Sequence, residues 1–211
     1  MRLDLNGLRA LDKRYRATLI NSLAGVRPAV LVGTSSPSGK SNLAIFNSIV
    51  HIGADPALWG LVFRPDTVRR DTLSNILETG YYTFNHIRSD QYRQVHLTSA
   101  KFDADVSEFG TCGFTEEFEE GFPAPYVAEA VVKVGLKFET RTDIPLNGTI
   151  LIIGSICSIT TREEWLTPDG FFNHDSADVL TCAGLDAYFR PSLLGRLSYA
   201  RPGEPIKDLP S

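Results

Sequence analysis

The chain has 211 residues, 43% of them hydrophobic, and a formal net charge of −4. This length and apolar content are enough for one sizeable core, with room for long excursions. There is no basic tail and no Lys/Arg block, so binding to nucleic acid is not predicted. Residues 1–16 lack the apolar stretch of a signal peptide, and no apolar run approaches the ~18 residues of a membrane helix. We therefore expect a cytoplasmic protein that does not enter a membrane.

The three cysteines, Cys112, Cys157 and Cys182, are widely spaced and form no C-x-x-C pair. An odd number at such spacing argues against both a disulfide framework and a structural zinc site. Reduced, mostly buried thiols are the simpler expectation, and Cys157, on an apolar strand, is predicted to pack in the core. No metal site is predicted.

The first predicted element is a helix over residues 8–24, because apolar side chains recur there at helical spacing. This helix would end at Gly25, a favourable residue after a helix, and Arg27-Pro28 would lead into the first strand. The apolar positions are Leu8, Leu11, Tyr15, Leu19 and Leu23.

Short apolar strands follow, separated by turn residues such as Asp55-Pro56. A helix over 71–79, ended by Gly80, interrupts them, and a second helix is predicted over 89–97 with Ser89 or Asp90 as its N-cap. The strands predicted in this part of the chain are 29–34, 42–46, 49–53, 58–63 and 81–86.

Residues 101–125 show little periodicity and carry four glutamates and three phenylalanines between 114 and 122. Such an excursion can cover a site, contact a partner subunit or remain a solvated acidic loop, and the residues leave these alternatives open. Residues 132–138 alternate apolar and polar side chains, which predicts a half-buried strand. A turn at 145–148 leads to a strand over 149–159, and a turn-rich C-terminal extension follows over 161–211.

Closely spaced strands, several hairpins and a few short helices favour a mainly β fold. Because the strands do not alternate with long helices, a doubly wound parallel sheet is disfavoured. A closed or partly closed antiparallel barrel with peripheral helices fits this order better. We expect a single domain over residues 1–211.

The start of the 71–79 helix is a candidate phosphate site. Free N–H groups and the helix dipole favour an anion there, and Thr72 offers a hydroxyl. Guanidinium groups suit phosphate oxygens, and three precede the helix. The alternative, which spacing alone favours, is that Asp71 caps the helix and the arginines are solvated. These arginines are Arg64, Arg69 and Arg70.

Residues 42–48 form a second candidate site, because amide and hydroxyl side chains occupy a strand that should be apolar. Asn is uncommon in strands, so Asn42 and Asn47 indicate either a planar ligand bound along the strand or a bent strand end. His51 lies nearby and has the best claim to a role among the four histidines. No dinucleotide-binding, Walker, serine-hydrolase or zinc-protease motif is present.

The order of these features resembles the flavin reductase-like family of FMN-binding split-barrel proteins. The resemblance covers about residues 25–160. The C-terminal segment through which some members bind nicotinamide is not recognisable, so FMN binding is implied more directly than reductase activity. The segments that carry the resemblance are Arg27-Pro28, Gly39, 42–48, Asp55-Pro56, Arg70-Asp71-Thr72, Asn75-Ile76, Gly80, Phe84-Asn85, 97–100, 110–115 and 130–139.

The resemblance implies an antiparallel split β-barrel of Greek-key type that binds FMN, FAD being less expected, and forms a homodimer with the flavin near the subunit interface. It also implies transfer of a hydride from NAD(P)H to the flavin, with an oxygenase as a partner that could receive it. A non-catalytic FMN-binding protein, such as a carrier or sensor, and a barrel without flavin are the alternatives. Hydride transfer is the cofactor's own chemistry, so no catalytic residue is named.

Within this resemblance each candidate residue has an implied role. Arg64, Arg70 and Thr72 would hold the phosphate, residues 42–48 would follow the flavin ring, and residues 98–100 would approach the ring or the ribityl chain. The implied FMN-binding residues are Asn42, Leu43, Ala44, Ile45, Phe46, Asn47, Ser48, Arg64, Arg70, Asp71, Thr72, Thr98, Ser99 and Ala100.

Overall fold

The computed structural model describes residues 1–68, 70–103 and 106–210. Short 3-10 helices occupy Ser89–Gln91 and Glu163–Trp165. The α-helices are α1 (Leu5–Ala10), α2 (Lys13–Leu23), α3 (Asp71–Thr79), α4 (Tyr92–Leu97) and α5 (Glu108–Cys112). The strands are β1 (Arg27–Pro28), β2 (Val30–Ser35), β3 (Ser41–Phe46), β4 (Ile49–Ala54), β5 (Ala57–Phe63), β6 (Tyr81–His86), β7 (Glu116–Glu117), β8 (Tyr126–Val127), β9 (Val132–Ile144), β10 (Thr149–Thr161), β11 (Thr181–Ala183), β12 (Ala187–Phe189), β13 (Arg196–Leu197) and β14 (Asp208–Leu209).

One seven-stranded sheet organises the chain, in the order β3-β2-β6-β9-β10-β5-β4. Every neighbouring pair in it is antiparallel, and β2–β3, β4–β5 and β9–β10 are hairpins. The fold is thus the mainly β, antiparallel split barrel expected from the sequence. β3 and β4 lie at the two edges of the sheet, and only residues 47 and 48 separate them along the chain.

The sheet has a core on each face, because successive side chains of a strand point to opposite sides. Val30 and Val32 of β2 belong to the core on one face, which we call the inner core. Leu31, between them, belongs to the core on the other face, which we call the outer core. Helix α3 contributes Leu73 and Ile76 to the inner core and so closes against the barrel. This packing fixes the start of α3 beside strands β2 and β3.

Helix α3 matches the predicted bounds, and Gly80 ends it with a φ of 77°. The single helix predicted over 8–24 is wrong, because the chain forms two helices there. The Asp12 carboxylate accepts hydrogen bonds from the N–H groups of Arg14 and Tyr15, so it caps a new helix at Lys13. The side chain of an N-cap residue thus interrupts an otherwise continuous apolar pattern.

The predicted 89–97 helix begins as the 3-10 turn at Ser89–Gln91, and neither Ser89 nor Asp90 caps it. Strand β9 was expected to be half buried, yet Lys133 and Gly135 on its outer face are buried too. The excursion before it provides the cover, because its residue Pro125 accepts a hydrogen bond of 2.6 Å from the Thr83 hydroxyl on the neighbouring strand β6. Of the three alternatives for the excursion, this packing disfavours a wholly solvated loop.

The prediction that Cys157 packs in the core is wrong, because the residue is exposed. The register between β9 and β10 shifts between Ile156 and Ser158, so Cys157 is an extra residue at a bulge and turns outward. Cys112 and Cys182 are buried, and all three cysteines are free. Cys182 lies on β11, which pairs with β1, so part of the C-terminal extension packs into the outer core.

Among the residues that the structure describes, no helix is both long and apolar enough to cross a membrane.

Candidate functional site

The first turn of α3 presents its N–H groups without a side-chain cap from the residue before it. Arg70 occupies the N-cap position with extended backbone, and its side chain makes no capping hydrogen bond. Asp71 is an acidic residue in the first turn, where its charge interacts favourably with the helix dipole. It is therefore not the N-cap residue that the alternative interpretation expected. Thr72 is buried with 5% of its surface exposed. The helix start is therefore shaped as an anion site.

A polar network joins this helix start to the edge strand β3. The Asn42 amide donates hydrogen bonds to Thr72 Oγ1 at 3.0 Å and to Thr34 Oγ1 at 3.3 Å. The Asn75 amide, one helical turn beyond Thr72, donates to the same Thr34 hydroxyl at 3.0 Å. The structure thus brings the two candidate sites, 42–48 and the helix start, into direct contact.

The middle of β3 does not present every predicted side chain to the same side. Leu43 is buried in the outer core, and Ile45 packs against that core. The Leu43 N–H, on the free edge of the sheet, donates to the Glu108 carboxylate at 3.2 Å. Ala44 is half buried, and Phe46 packs edge-to-face on Phe63 at 5.0 Å. Among the described residues no carboxylate covers the strand edge from residue 45 onward.

The far end of the segment is a second polar cluster. The Asn47 amide donates to the Gly184 carbonyl at 2.6 Å. The Ser48 hydroxyl lies 3.3 Å from Asn47 Oδ1 and 3.4 Å from Arg27 Nη1, which donates to it. Burial raises the pKa of the nearby Cys182 thiol, so at neutral pH this thiol is protonated and is not a nucleophile.

Two buried guanidinium nitrogens have no hydrogen-bond partner in the described part of the chain. They are Arg70 Nε, at the helix start, and Arg27 Nε, beside Ser48. A buried N–H without an acceptor is costly, so each atom calls for an acceptor from outside the described residues. Arg70 belongs to the helix start that Asn42 contacts near the beginning of β3, whereas Arg27 contacts Ser48, two residues after the end of this strand of roughly 20 Å. An elongated ligand with an acceptor at each end fits this arrangement.

The cavity beside Asn42 is not where an anion would bind. It measures about 80 Å³ and is lined by Lys40 together with carboxylates. Three carboxylates against one ammonium group repel phosphate, and ligand sites usually have several hundred Å³. A phosphate at Thr72 would therefore lie on the Arg70 side of the helix start. The carboxylates of the cavity are Asp71, Asp103 and Glu108.

In the described part of the chain, no hydrogen bond links the remaining predicted residues to this cluster. Arg64 is exposed after β5, and Arg69 lies outside the described residues. The Thr98 and Ser99 hydroxyls donate to carbonyls of their own turn, at 2.8 and 2.7 Å, and Ala100 is exposed. Their contact with a ligand remains a prediction. His51 is exposed on the edge strand β4.

Several residues of the site were missed in the sequence. Thr34 and Asn75 complete the network with Asn42, and Arg27 stands at the far end of β3. Asn75 lies three residues after Thr72, hence on the same helix face, which is a signal that could have been used. Arg27 and Thr34 carry no such signal, because only the pairing of β1 with β11 and of β2 with β3 places them there.

The chain belongs to the flavin reductase like domain family, whose pattern matches residues 25–179. The match covers the whole seven-stranded sheet and the start of α3. The family therefore accounts for the part of the chain in which the candidate site lies.

Solved structures with the same fold include a candidate flavin reductase with a split barrel domain from Shewanella frigidimarina NCIMB 400. It is 39% identical, with a TM-score of 0.91 over 95% of this chain and 100% of that chain. Nitrilotriacetate monooxygenase component B from Bacillus cereus has a TM-score of 0.82 at 17% identity, over 93% and 98%. Flavoredoxin of Desulfovibrio vulgaris (Miyazaki F) has a TM-score of 0.71 at 20% identity, over 96% and 98%. The last two likenesses show the fold alone.

Proposed function

We propose that this protein is an FMN-binding oxidoreductase that transfers a hydride from NAD(P)H to the flavin, hence a flavin reductase. The observation that carries the proposal is the polar bridge from Asn42 to Thr72, together with the buried Nε atoms of Arg70 and Arg27, which find no acceptor among the described residues. Membership of the flavin reductase like domain family supports the flavin as ligand.

The phosphate of FMN would bind at the start of α3. The first-turn N–H groups and the Thr72 hydroxyl would donate to its oxygens, and Arg70 Nε would gain the acceptor that it lacks. The Arg70 side chain is already oriented by a hydrogen bond from Nη2 to the Pro65 carbonyl at 3.3 Å. FMN is therefore favoured over riboflavin at this site.

The flavin ring would lie along residues 45–48. Glu108 covers the strand edge at Leu43, so the polar side of the ring would bind along residues 45–48 instead. The Ser48 hydroxyl and Arg27 Nε lie at the end of this segment. A cation beside the ring's carbonyl and N1 region stabilises negative charge that develops there on reduction.

When bound, the flavin supplies the redox chemistry by accepting a hydride at N5. The residues of this chain bind and orient it, and none of them is required to transfer a proton in that step. The neutral Cys182 thiol and the hydrogen-bonded amides of Asn42 and Asn47 agree with a positioning role.

A second copy of the chain would complete the site. Residues 45 and 46 belong to the edge strand β3, so a ring along residues 45–48 would lie at the edge of the sheet, where another subunit can cover it. Helices α1 and α2 contain no buried residue, although Leu5, Tyr15 and Leu23 are apolar. We therefore propose a homodimer with the flavin near the interface. The name of the Bacillus cereus relative supports an oxygenase as a further partner.

Rapid-mixing absorbance under anaerobic conditions tests the proposal. FMN bound to the protein should lose its visible absorbance on mixing with NADH or NADPH, faster than free FMN at the same concentration. The Arg70→Ala/Thr72→Ala variant should slow the reaction by weakening FMN affinity while the fold stays intact. Arg141→Ala/Thr142→Ala, at two exposed positions of β9, is the matched control.

Two outcomes would contradict parts of the proposal. FMN that binds but is not reduced by either nicotinamide would make the protein a flavin carrier or sensor. Unchanged FMN affinity in the Arg70→Ala/Thr72→Ala variant would refute the phosphate position.

A further inference from the structure

A second cleft opens where β9 begins and β10 ends. It measures about 400 Å³, five times the cavity at Asn42, and falls in the size range of small-molecule sites. Residues 128–131 form one wall, and Thr160 to Arg162 form another. Strands β2 and β6 separate β9 from the edge strand β3, so this cleft is distinct from the proposed flavin site.

A buried ammonium group lines the cleft. The side chain of Lys133 is only 10% exposed, and its Nζ forms one ion pair, 2.6 Å from Glu117 Oε2. An ammonium group carries three donors, and no second acceptor for Lys133 is found among the described residues. Because a buried charge needs more than one partner to offset its lost hydration, the cleft is suited to a further acceptor.

Two guanidinium groups stand at the mouth of the cleft. Arg88 is paired with Asp178 at 3.4 Å and Asp90 at 3.9 Å, and Arg162 with Glu164 at 3.3 Å. The Arg162–Glu164 pair is exposed on both sides, so Arg162 can turn toward a ligand at little cost. The Arg88 side chain is 46% exposed, and its buried partner Asp178 would keep Arg190 at 2.9 Å if Arg88 turned. Glu129, the one carboxylate among the described lining residues, already accepts the Thr115 N–H with both oxygens. The lining is therefore cationic in a chain whose net charge is −4.

The cleft also has an aromatic wall. Trp165 packs against the inner core, and the Arg162 guanidinium lies 5.2 Å from the centre of its ring. A lone inorganic anion would leave most of the 400 Å³ unfilled, whereas a planar apolar body beside Trp165 would fill it and gain stacking contact.

We propose that this cleft binds a small aromatic carboxylate. The carboxylate would pair with Lys133 and the two arginines, and the ring would lie against Trp165. The proposal does not depend on flavin binding, because none of these residues belongs to the flavin site.

Titration of the full-length protein with three probes tests this site. Benzoate carries both the anion and the ring, benzamide is its uncharged analogue, and inorganic phosphate lacks the ring. Heteronuclear NMR of the indole N–H groups reports the location, because Trp165 lines the cleft and Trp59, the other tryptophan, does not. We expect benzoate to bind at least tenfold more tightly than either other probe and to shift the Trp165 signal alone.

The Arg88→Gln/Arg162→Gln variant should lower benzoate affinity at least tenfold and leave benzamide affinity unchanged. Arg141→Gln is the matched control, an ion-paired arginine on the same strand as Lys133 but eight residues away. Thermal melting of both variants verifies that they fold, since all three arginines lie at the surface. Equal binding of benzoate and benzamide, an unshifted Trp165 signal, or full affinity in the double variant would each overturn the proposal.

Discussion

Asn42 Nδ2 lies 3.0 Å from Thr72 Oγ1, and this hydrogen bond joins the edge strand β3 to the first turn of α3. The two residues are thirty positions apart in the chain. The bond therefore sets the distance between the proposed phosphate position and the strand along which the ring would lie. The fully buried Thr34 hydroxyl accepts hydrogen bonds from Asn42 and from Asn75, three residues after Thr72, and so ties the strand to the helix at a second point.

Asn42→Ala should weaken FMN binding without abolishing the fold. The substitution removes two hydrogen bonds, worth about 1 kcal/mol each, and frees the Thr72 hydroxyl to rotate. We expect FMN affinity, measured by quenching of flavin fluorescence, to fall about tenfold. Ser38→Ala, in the exposed β2–β3 turn, should leave it unchanged. An Asn42→Ala protein that binds FMN as well as the wild type would refute this positioning role.

Arg27→Gln should weaken the binding of FMN and riboflavin by the same factor. Arg27 Nε stands at the ring end of the site, beside Ser48, where both ligands are chemically identical. Parallel titrations of the two flavins measure this. A loss confined to FMN would place Arg27 at the phosphate instead and reverse the proposed direction of the ligand.

Gly154→Ala should destabilise the fold. An added Cβ would overlap the buried Tyr82 hydroxyl and lie 2.8 Å from the Lys137 carbonyl oxygen. Such overpacking costs about 1 to 3 kcal/mol, measurable by urea unfolding. Adding Tyr82→Phe to this variant should recover part of the lost stability, because it removes the hydroxyl that the new Cβ overlaps. It costs no hydrogen bond, since this hydroxyl has no partner in the described part of the protein.

Gly110→Ala is the control for that substitution, because no contact within 4 Å of an added Cβ is found there among the described residues. Alanine in helix α5 should be neutral or stabilising by up to about 1 kcal/mol. If Gly154→Ala and Gly110→Ala lose the same free energy of unfolding, the overlap with Tyr82 is not what destabilises Gly154→Ala.

Stability should fall as the pH drops below about 6.5. Burial, and secondarily the neighbouring His174, lowers the pKa of His86 from 6.5 to about 4. Above the unfolded-state pKa both states are neutral and the stabilisation is complete. Between about pH 6.5 and pH 4 only the unfolded chain gains the proton, so about 3 kcal/mol is lost.

Urea unfolding at neutral and acidic pH measures the effect. His86→Gln should make the loss of stability with falling pH smaller by about 2 to 3 kcal/mol, whereas His51→Gln, at an exposed position, should not change it. If His86→Gln keeps the same pH dependence of stability as the wild type, the buried His86 is not the titrating group.

The sequence predicted the elements whose patterns are local. Helix α3 was predicted at its true bounds because Asp71-Thr72 is a typical helix opening and Gly80 ends the helix. The break at Asp12 was missed, because a carboxylate that caps a helix leaves the apolar periodicity around it unchanged. Burial of Lys133 was missed because it depends on a distant segment that covers the sheet.

The candidate site was predicted in its parts but not in its connections. Asn42 and Thr72 were named separately, and their contact follows from the packing of α3 against β2 and β3. Arg27 was predicted to lead from the helix into the first strand and to carry part of the family resemblance, but not to belong to the site, because that role arises from the distant pairing of β1 with β11. The proposed contact of residues 98–100 with the flavin stays a prediction.

The most direct test of the central claim compares the affinities of FMN and riboflavin for the wild-type protein and for Arg70→Gln. A phosphate held by Arg70 and the first turn of α3 predicts that the wild type binds FMN more tightly, by about tenfold or more for a charge-assisted hydrogen bond. Arg70→Gln should remove most of that preference and leave riboflavin affinity unchanged. Equal affinity of the wild-type protein for the two flavins, or no binding of either, would contradict the account.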